Sequence, residues 1–189
     1  MILRNYYWGW DKALTDRQCN DIIDKYNNFN SATTLTKDSQ KSRSGKVTFT
    51  NDVELYRLLY SYVDTANKEA GWNFDLHGAE DIQISKYDKD DHYDWHIDGG
   101  SDLEHSIRKD GFVRKLSLVL SLTHKDEYEG GDFVIDLGPH AKQKNIIVDK
   151  LKNKGGLVVM PSFLYHKVSP VTKGTRHSLV MWVAGKPFR

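Results

Sequence analysis

Leucines at 116, 118, 120 and 122, with Ser117, Val119 and Ser121 between them, constrain this chain most. An apolar residue at every second position lines one face of a β-strand, whereas a helix would scatter the same residues around its axis. The two-residue period recurs at Ile82, Ile84 and Lys86, which alternate with Gln83, Ser85 and Tyr87. Phe133 to Ile135, Leu157 to Met160, Leu164 to Val168 and Ser178 to Ala184 are further strand candidates. Gly130-Gly131, Gly138-Pro139, Gly155-Gly156 and Lys173-Gly174 punctuate them as turns. Many short strands without helical crossovers predict an antiparallel sandwich or barrel of the jelly-roll kind.

The first third reads differently. Thr15 and Gln18 form a capping box, and Cys19, Ile22, Ile23 and Tyr26 follow at helical spacing. Cys19 is read as a core residue of that face. Residues 30–46, rich in Ser, Thr, Lys and Asp, read as a loop. Asn51 and Glu54 suggest a second capping box before Leu55, Leu58, Leu59, Tyr62, Val63 and Ala66, and Gly71 is a fitting stop. These helices are expected to cover one face of a sheet. The expected organisation is a single domain over 1–189, with a mainly helical support in 1–75 and a β core in 79–186.

Composition excludes some classes. At 39% hydrophobic and 28% charged residues, the chain is globular rather than disordered. Its net charge of +1 gives no general attraction for nucleic acid. No stretch approaches the roughly 18 apolar residues of a membrane span, and residues 1–10 lack the apolar core of a signal peptide. The single cysteine cannot form an internal disulfide, which favours a reducing, cytoplasmic setting.

The candidate chemistry begins at His96-Ile97-Asp98. Residues two apart in a strand share a face, so His96 and Asp98 can reach into one cavity. His166, in a distant strand candidate, is the expected third ligand. Two histidines and one carboxylate form a facial triad that leaves open positions and suits Fe(II), whereas zinc prefers closed tetrahedral binding or a single open site. His77, His92, His105, His124, His140 and His177 are read as solvated or structural. Arg176, Ser178 and Trp182 are evenly spaced in one strand and predict a shared face. Arg176 beside a hydroxyl makes a receptor for a carboxylate, and a salt bridge to a protein carboxylate is the alternative.

Taken together, these pieces resemble the Fe(II)/2-oxoglutarate-dependent dioxygenases, in particular the prolyl 4-hydroxylase-like group. The resemblance runs from about Asp81 to Ala184. It rests on Ile84-Ser85-Lys86-Tyr87, His96-Ile97-Asp98, Leu116 to Leu122, Gly130-Gly131-Asp132-Phe133, His166, and Arg176-His177-Ser178 with Trp182. It implies a double-stranded β-helix and Fe(II) bound by His96, Asp98 and His166. It further implies 2-oxoglutarate held at Arg176 with help from Ser178 and Tyr87, Trp182 lining that pocket, O₂ as oxidant and ascorbate as reductant. The implied reaction hydroxylates an unactivated C–H and releases succinate and CO₂. A peptidyl prolyl residue is the first expected substrate; a free amino acid or small metabolite is the alternative. An arginine at the carboxylate position resembles the bacterial and oxygen-sensing branches more than the collagen-modifying one. Asp88-Lys89-Asp90-Asp91 replaces the glycine-containing turn usual before the metal motif.

Two local expectations complete the reading. Residues 99–112 overhang the open side of the site as a lid or an ordinary loop. Tyr93 and Trp95 line the entrance of the site or, since alternation predicts that they point away from the His96–Asp98 face, pack in the core. Competing readings are a non-catalytic jelly-roll binding protein, for which a full ligand set would be superfluous, and a cupin-type metalloenzyme, for which His-x-His with Glu would be usual.

Overall fold

In the computed structural model, residues 3–32, 34, 35, 41–99, 110–139, 141 and 143–188 are described. The strands are β1 (Trp8–Trp10), β2 (Asn30–Ser31), β3 (Thr34–Leu35), β4 (Lys41–Arg43), β5 (Lys46–Thr50), β6 (Gly78–Ala79), β7 (Ile82–Tyr87) and β8 (Tyr93–His96). They continue with β9 (Val113–Ser121), β10 (Tyr128–Gly130), β11 (Phe133–Asp136), β12 (Asn145–Ile147), β13 (Leu157–Pro161), β14 (His166–Val168), β15 (Val171–Gly174) and β16 (Arg176–Gly185). Two helices, α1 (Asp16–Lys25) and α2 (Val53–Glu69), complete the set with two short 3₁₀ turns.

The strands form two main sheets. The larger runs β1-β13-β9-β16-β7-β5-β2, with β6 added beside β16, and the smaller runs β12-β11-β14-β8-β4-β3. The pairings are antiparallel, as the absence of crossovers predicts. This is the jelly roll expected from the strand pattern, covered on one face by helices.

The leucine row explains which face the helices take. Leu116, Leu118 and Leu120 of β9 share one buried cluster with Leu59, Val63 and Ala66 of α2 and with Cys19 and Ile22 of α1. Burying each such side chain contributes about 1.5–3 kcal/mol. Ile82 and Ile84 of β7, and Leu179, Met181 and Val183 of β16, join the same cluster. The residues between them turn the other way. Val119, Val158 and Met160 meet Phe133, Ile135 and Val168 in a second cluster between the sheets. Cys19 is fully buried, and burial pushes its thiol up to about 11, so it behaves as a core residue.

Both helix starts are capped, one as predicted. Thr15 accepts from the Gln18 N–H while the Gln18 side chain accepts from the Thr15 N–H, the reciprocal box read from sequence. The second helix is capped by Asp52, not Asn51, and Glu54 takes no part in a box. Asp52 Oδ1 accepts from the Leu55 N–H at 3.0 Å, and Oδ2 accepts from Lys25 Nζ at 2.6 Å and the Tyr26 hydroxyl at 2.8 Å. A carboxylate that also ties down the end of α1 outcompetes its neutral neighbour for the cap.

The stretch read as a loop over 30–46 differs more. It carries β2, β3 and β4 and leads into β5, adding strands to both sheets. These strands are short and mostly polar, with β2 and β3 at sheet edges and β4 next to one, so they show little apolar alternation.

His177 lies on the reverse of the strand that carries Arg176, as alternation predicts, with its ring 6.0 Å from that of Phe29. Burial and then Lys86 push its imidazole down to about 4; Asp88 and Glu127 oppose this, and Arg176 adds to it. A histidine kept neutral in the folded state takes up its proton more readily when unfolded, so stability is lost as pH falls from about 6.5 toward about 4. His177→Gln is expected to flatten the pH dependence of unfolding in that window, measured by urea denaturation. An unchanged slope would remove His177 as its cause.

Candidate metal centre

One cavity of about 640 Å³ opens between the sheets and is lined by His96, Asp98, His166, Arg176, Tyr87 and Trp182 among others. The three predicted ligands converge there. Their ligand atoms all lie within 4.8 Å of one another. His96 Nε2 is 3.7 Å from Asp98 Oδ1, and His166 Nε2 is 3.6 Å from Asp98 Oδ2.

Register brings the two histidines together, because His166 on β14 pairs directly with His96 on β8. Asp98 lies just beyond β8, where its N–H donates to the Ser162 carbonyl at 3.0 Å. Asp98 therefore reaches the two histidines as alternation predicts, although a turn and not a continuing strand holds it.

Backbone carbonyls fix both imidazoles. His96 Nδ1 donates to the Asp94 carbonyl at 2.8 Å, and His166 Nδ1 donates to the Leu164 carbonyl at 2.9 Å. A carbonyl can only accept, so each Nδ1 carries a hydrogen, which in a neutral ring leaves Nε2 as the ligating nitrogen. Burial, with the facing His166, pushes His96 down to about 4 and keeps it in the neutral, ligating form. For Asp98, burial alone would raise the carboxyl. The two histidine rings, the Ser117 hydroxyl and the Trp182 indole outweigh it and hold the group below the usual carboxylate range.

Ser117 and Arg114, neither of them among the sequence-predicted site residues, position Asp98. Ser117 Oγ donates to Asp98 Oδ2 at 2.6 Å and lies 2.8 Å from Ser162 Oγ. Since Ser117 spends its hydrogen on Asp98, Ser162 donates to Ser117. Arg114 Nη1 donates to the Asp98 carbonyl at 3.1 Å, while its Nε and Nη2 grip Glu80 at 2.9 and 2.6 Å. Only the small polar side of the leucine row hinted at Ser117, and nothing local hinted at Arg114.

Tyr93 departs from the alternation rule. Its ring stacks on His96 at 3.5 Å and lines the cavity, rather than pointing away. The cause is an irregularity in the strand pair: β14 pairs at His166 and Val168 against His96 and Tyr93, two steps against three. The extra residue of such a bulge returns Tyr93 to the inner face. Trp95 does face outward, with Lys167 Nζ 4.9 Å from its ring.

Arg176 sits deeper in the same cavity at 1% exposure. Its Nη1 donates to Ser178 Oγ at 3.0 Å, and its Cζ lies 5.7 Å from the Tyr87 ring. Tyr87 is its direct partner across the β7–β16 ladder. Among the described residues it has no carboxylate partner, and its Nε has no hydrogen bond. An uncompensated buried charge costs on the order of several kcal/mol, so the site is built for an anion from outside. Gly131 makes room for it: its φ is +61°, and a Cβ there would come within 2.9 Å of Arg176 Cδ. Trp182 is buried in the cavity wall beneath Arg114, whose Cζ is 4.1 Å from the ring. Its indole N–H has no partner in hydrogen-bond geometry, although it lies near enough to help lower Asp98.

The aspartate-rich turn still leaves Tyr87 in place. Asp90 takes the left-handed conformation at φ 69° in place of a glycine, and Asp91 Oδ2 accepts from the Asp88 N–H at 3.0 Å. The other described histidines lie elsewhere: His77 stacks on Phe112, His92 bonds Ser44, and His124 caps a 3₁₀ turn. His105 and His140, and positions 100–109 of the expected lid, lie outside the described residues.

This donor set fits one divalent ion with an anion bound beside it. The model of the 2OG-Fe(II) oxygenase superfamily matches residues 82–184, more than half of the chain. The chain belongs to this superfamily. A PKHD-type hydroxylase of Janthinobacterium sp. (strain Marseille) is 36% identical over 108 residues, covering 53% of this chain and 41% of that protein. Another, from Gloeothece citriformis, is 30% identical over 151 residues, covering 79% of this chain and 60% of that protein. The chain thus matches less than two thirds of the length of these relatives. Among solved structures, a Pseudomonas putida prolyl-4-hydroxylase aligns with a TM-score of 0.70 at 18% identity, over 97% of this chain and 95% of that one. A viral collagen prolyl hydroxylase of Paramecium bursaria Chlorella virus-1, solved with 2OG, aligns at 0.69 and 18% identity, over 96% and 97%. At that identity the likeness establishes the double-stranded β-helix fold that the superfamily shares.

The Ser117 hydroxyl orients a ligand without touching the ion. Ser117→Ala is expected to weaken metal binding by about 10- to 100-fold, the usual cost of losing such a partner. Anaerobic titration with Fe(II), or with Mn(II) as a redox-stable substitute, measures this. Unchanged affinity would mean that Asp98 holds its place without Ser117.

Proposed function

We propose that this chain is an Fe(II)- and 2-oxoglutarate-dependent dioxygenase that hydroxylates an unactivated C–H bond. The observation that carries the reading is one cavity holding both a preformed His96–Asp98–His166 set and a buried Arg176 that has no carboxylate partner among the described residues. His96, Asp98 and His166 hold the iron. Arg176 receives the distal carboxylate of 2-oxoglutarate through its planar fork of donors, and Ser178 and Tyr87 complete that receptor. Trp182 lines the same pocket. Iron and 2-oxoglutarate bound there would activate O₂, the oxidant, with one oxygen atom going to succinate and the other to the substrate C–H, and CO₂ released.

The protein's own contributions are positional. The Nδ1–H bonds to Asp94 and Leu164 keep both imidazoles aimed. Ser117 and Arg114 fix Asp98, so the carboxylate cannot swing onto the co-substrate's positions. The inner wall is apolar where Val119, Phe133 and Val168 line it, which disfavours water at the reacting carbon.

The names of the solved neighbours favour a peptidyl prolyl residue as substrate, with a free amino acid or small metabolite as the other candidate. Ascorbate serves as the reductant that restores Fe(II). A lone, buried thiol agrees with a cytoplasmic setting. A binding protein without catalysis would have little use for two oriented imidazoles beside an orphaned arginine.

Succinate release from 2-oxoglutarate in the presence of Fe(II) tests the reading. Arg176→Ala is expected to raise the KM for 2-oxoglutarate by ~10- to 100-fold, the value of charge-assisted hydrogen bonds of about 1.5–3 kcal/mol, with iron still bound. Unchanged co-substrate affinity would place the carboxylate elsewhere.

A further inference from the structure

A third arginine of the cavity lining, beside Arg114 and Arg176, is not used by this arrangement. Arg43, on β4, is fixed by pairing with Tyr93 of β8. Its Cζ stands 4.6 Å from the Tyr93 ring, and that ring stacks at 3.5 Å on the ligand His96. The guanidinium lines the cavity, yet among the described residues it has no carboxylate partner, and its buried Nε has no hydrogen bond. Stacking on Tyr93 engages the flat face of a guanidinium and leaves its N–H edge free. The other cations nearby are committed: Arg114 to Glu80, and Lys46 to Asp88.

Charge counting gives the occupant. On the oxygenase reading, on which this inference rests, one carboxylate of 2-oxoglutarate goes to Arg176 and the other to the metal. Arg43 then remains as an unmatched cation on the metal side of the cavity. The surface beside it is mixed. Phe49 is 55% exposed, and Gln83, its partner in the β5–β7 ladder, is buried and donates one amide hydrogen to Ser85 Oγ at 2.8 Å. The Gln83 carbonyl oxygen is left for a ligand.

We infer that Arg43 is a specificity-determining residue that receives a carboxylate of the substrate, so that the molecule oxidised is an acid. That carboxylate comes either from a free amino acid or from an acidic side chain in a peptide. Phe49 covers the apolar part of the same molecule, and Gln83 meets a neighbouring polar group. A planar guanidinium pairs with a carboxylate through two parallel bonds, which an amide of the same shape cannot match.

The test uses the full chain with Fe(II), 2-oxoglutarate and two sets of probes. One set pairs free amino acids with their carboxamides, and the other pairs proline-containing peptides bearing Glu with the same peptides bearing Gln. Stimulated succinate formation is expected to favour the acid over the amide by ~10- to 100-fold in KM, as loss of charge-assisted bonds implies. The set that shows the preference identifies the source. In Arg43→Gln the ratio should fall to near one, and in Arg43→Lys part of it should remain. Equal response to acid and amide in both sets, no response to any acid, or an unaltered ratio in Arg43→Gln overturns the proposal. Calorimetric titration of the acids into protein carrying Mn(II) and an unreactive 2-oxoglutarate analogue reads the same preference without turnover. Absence of probe-free, Fe(II)-dependent succinate formation would instead count against the oxygenase reading itself.

Discussion

Two histidines that lie 70 positions apart in the sequence face each other across one strand pair, His96 on β8 and His166 on β14. The rest of the site depends on that register. A slip of one residue would turn His166 outward and bring Lys167, now beside Trp95, toward the cavity. Each ring is held a second time by its Nδ1–H bond to a carbonyl two residues back in its own chain. Those bonds are local, so once the strands pair, the imidazoles are aimed before any metal arrives. The remaining effort goes into Asp98, which lies past the end of its strand and needs the Ser162 carbonyl, Ser117 and Arg114 to stay in place.

The larger sheet divides its work by face. Its leucine side carries α1 and α2 and supplies most of the apolar burial. Its other side is unusually polar for a protein interior, with Gln83, Ser85, Ser117, Ser121, Arg176 and Ser178 all buried. Inward polar groups would weaken a purely structural core. Here they are matched to one another where they can be, as Gln83 is with Ser85, and Arg176 and Trp182 keep unpartnered atoms. The stability that such a floor costs is recovered on the helix side of the same strands.

Much of this was legible in the sequence because it rests on period and spacing. The alternation over 116–122 located β9 and its apolar face, and the even spacing of Arg176, Ser178 and Trp182 anticipated one cavity wall. What escaped depends on contacts that no local pattern encodes. Arg114 meets Glu80 across 34 positions and Ser117 meets Asp98 across 19. Period two alone turned Tyr93 away from the site and left its place at the entrance as an alternative, because a bulge adds one residue to β8 that such reasoning has no means to count. The strands β2 to β4, at or next to sheet edges, were read as loop because an edge that is half solvated carries few apolar residues. The Asp52 cap was missed by one position, since the lysine and tyrosine that favour it come from the end of the other helix.

The account stands on iron and 2-oxoglutarate binding together in the cavity of His96, Asp98, His166 and Arg176. The most direct measurement is anaerobic addition of Fe(II) and then 2-oxoglutarate, followed by visible absorption. A charge-transfer band that requires both additions, and that is lost in His166→Ala, is the predicted result. A protein that shows no band with both present, or the same band in His166→Ala, would contradict the account.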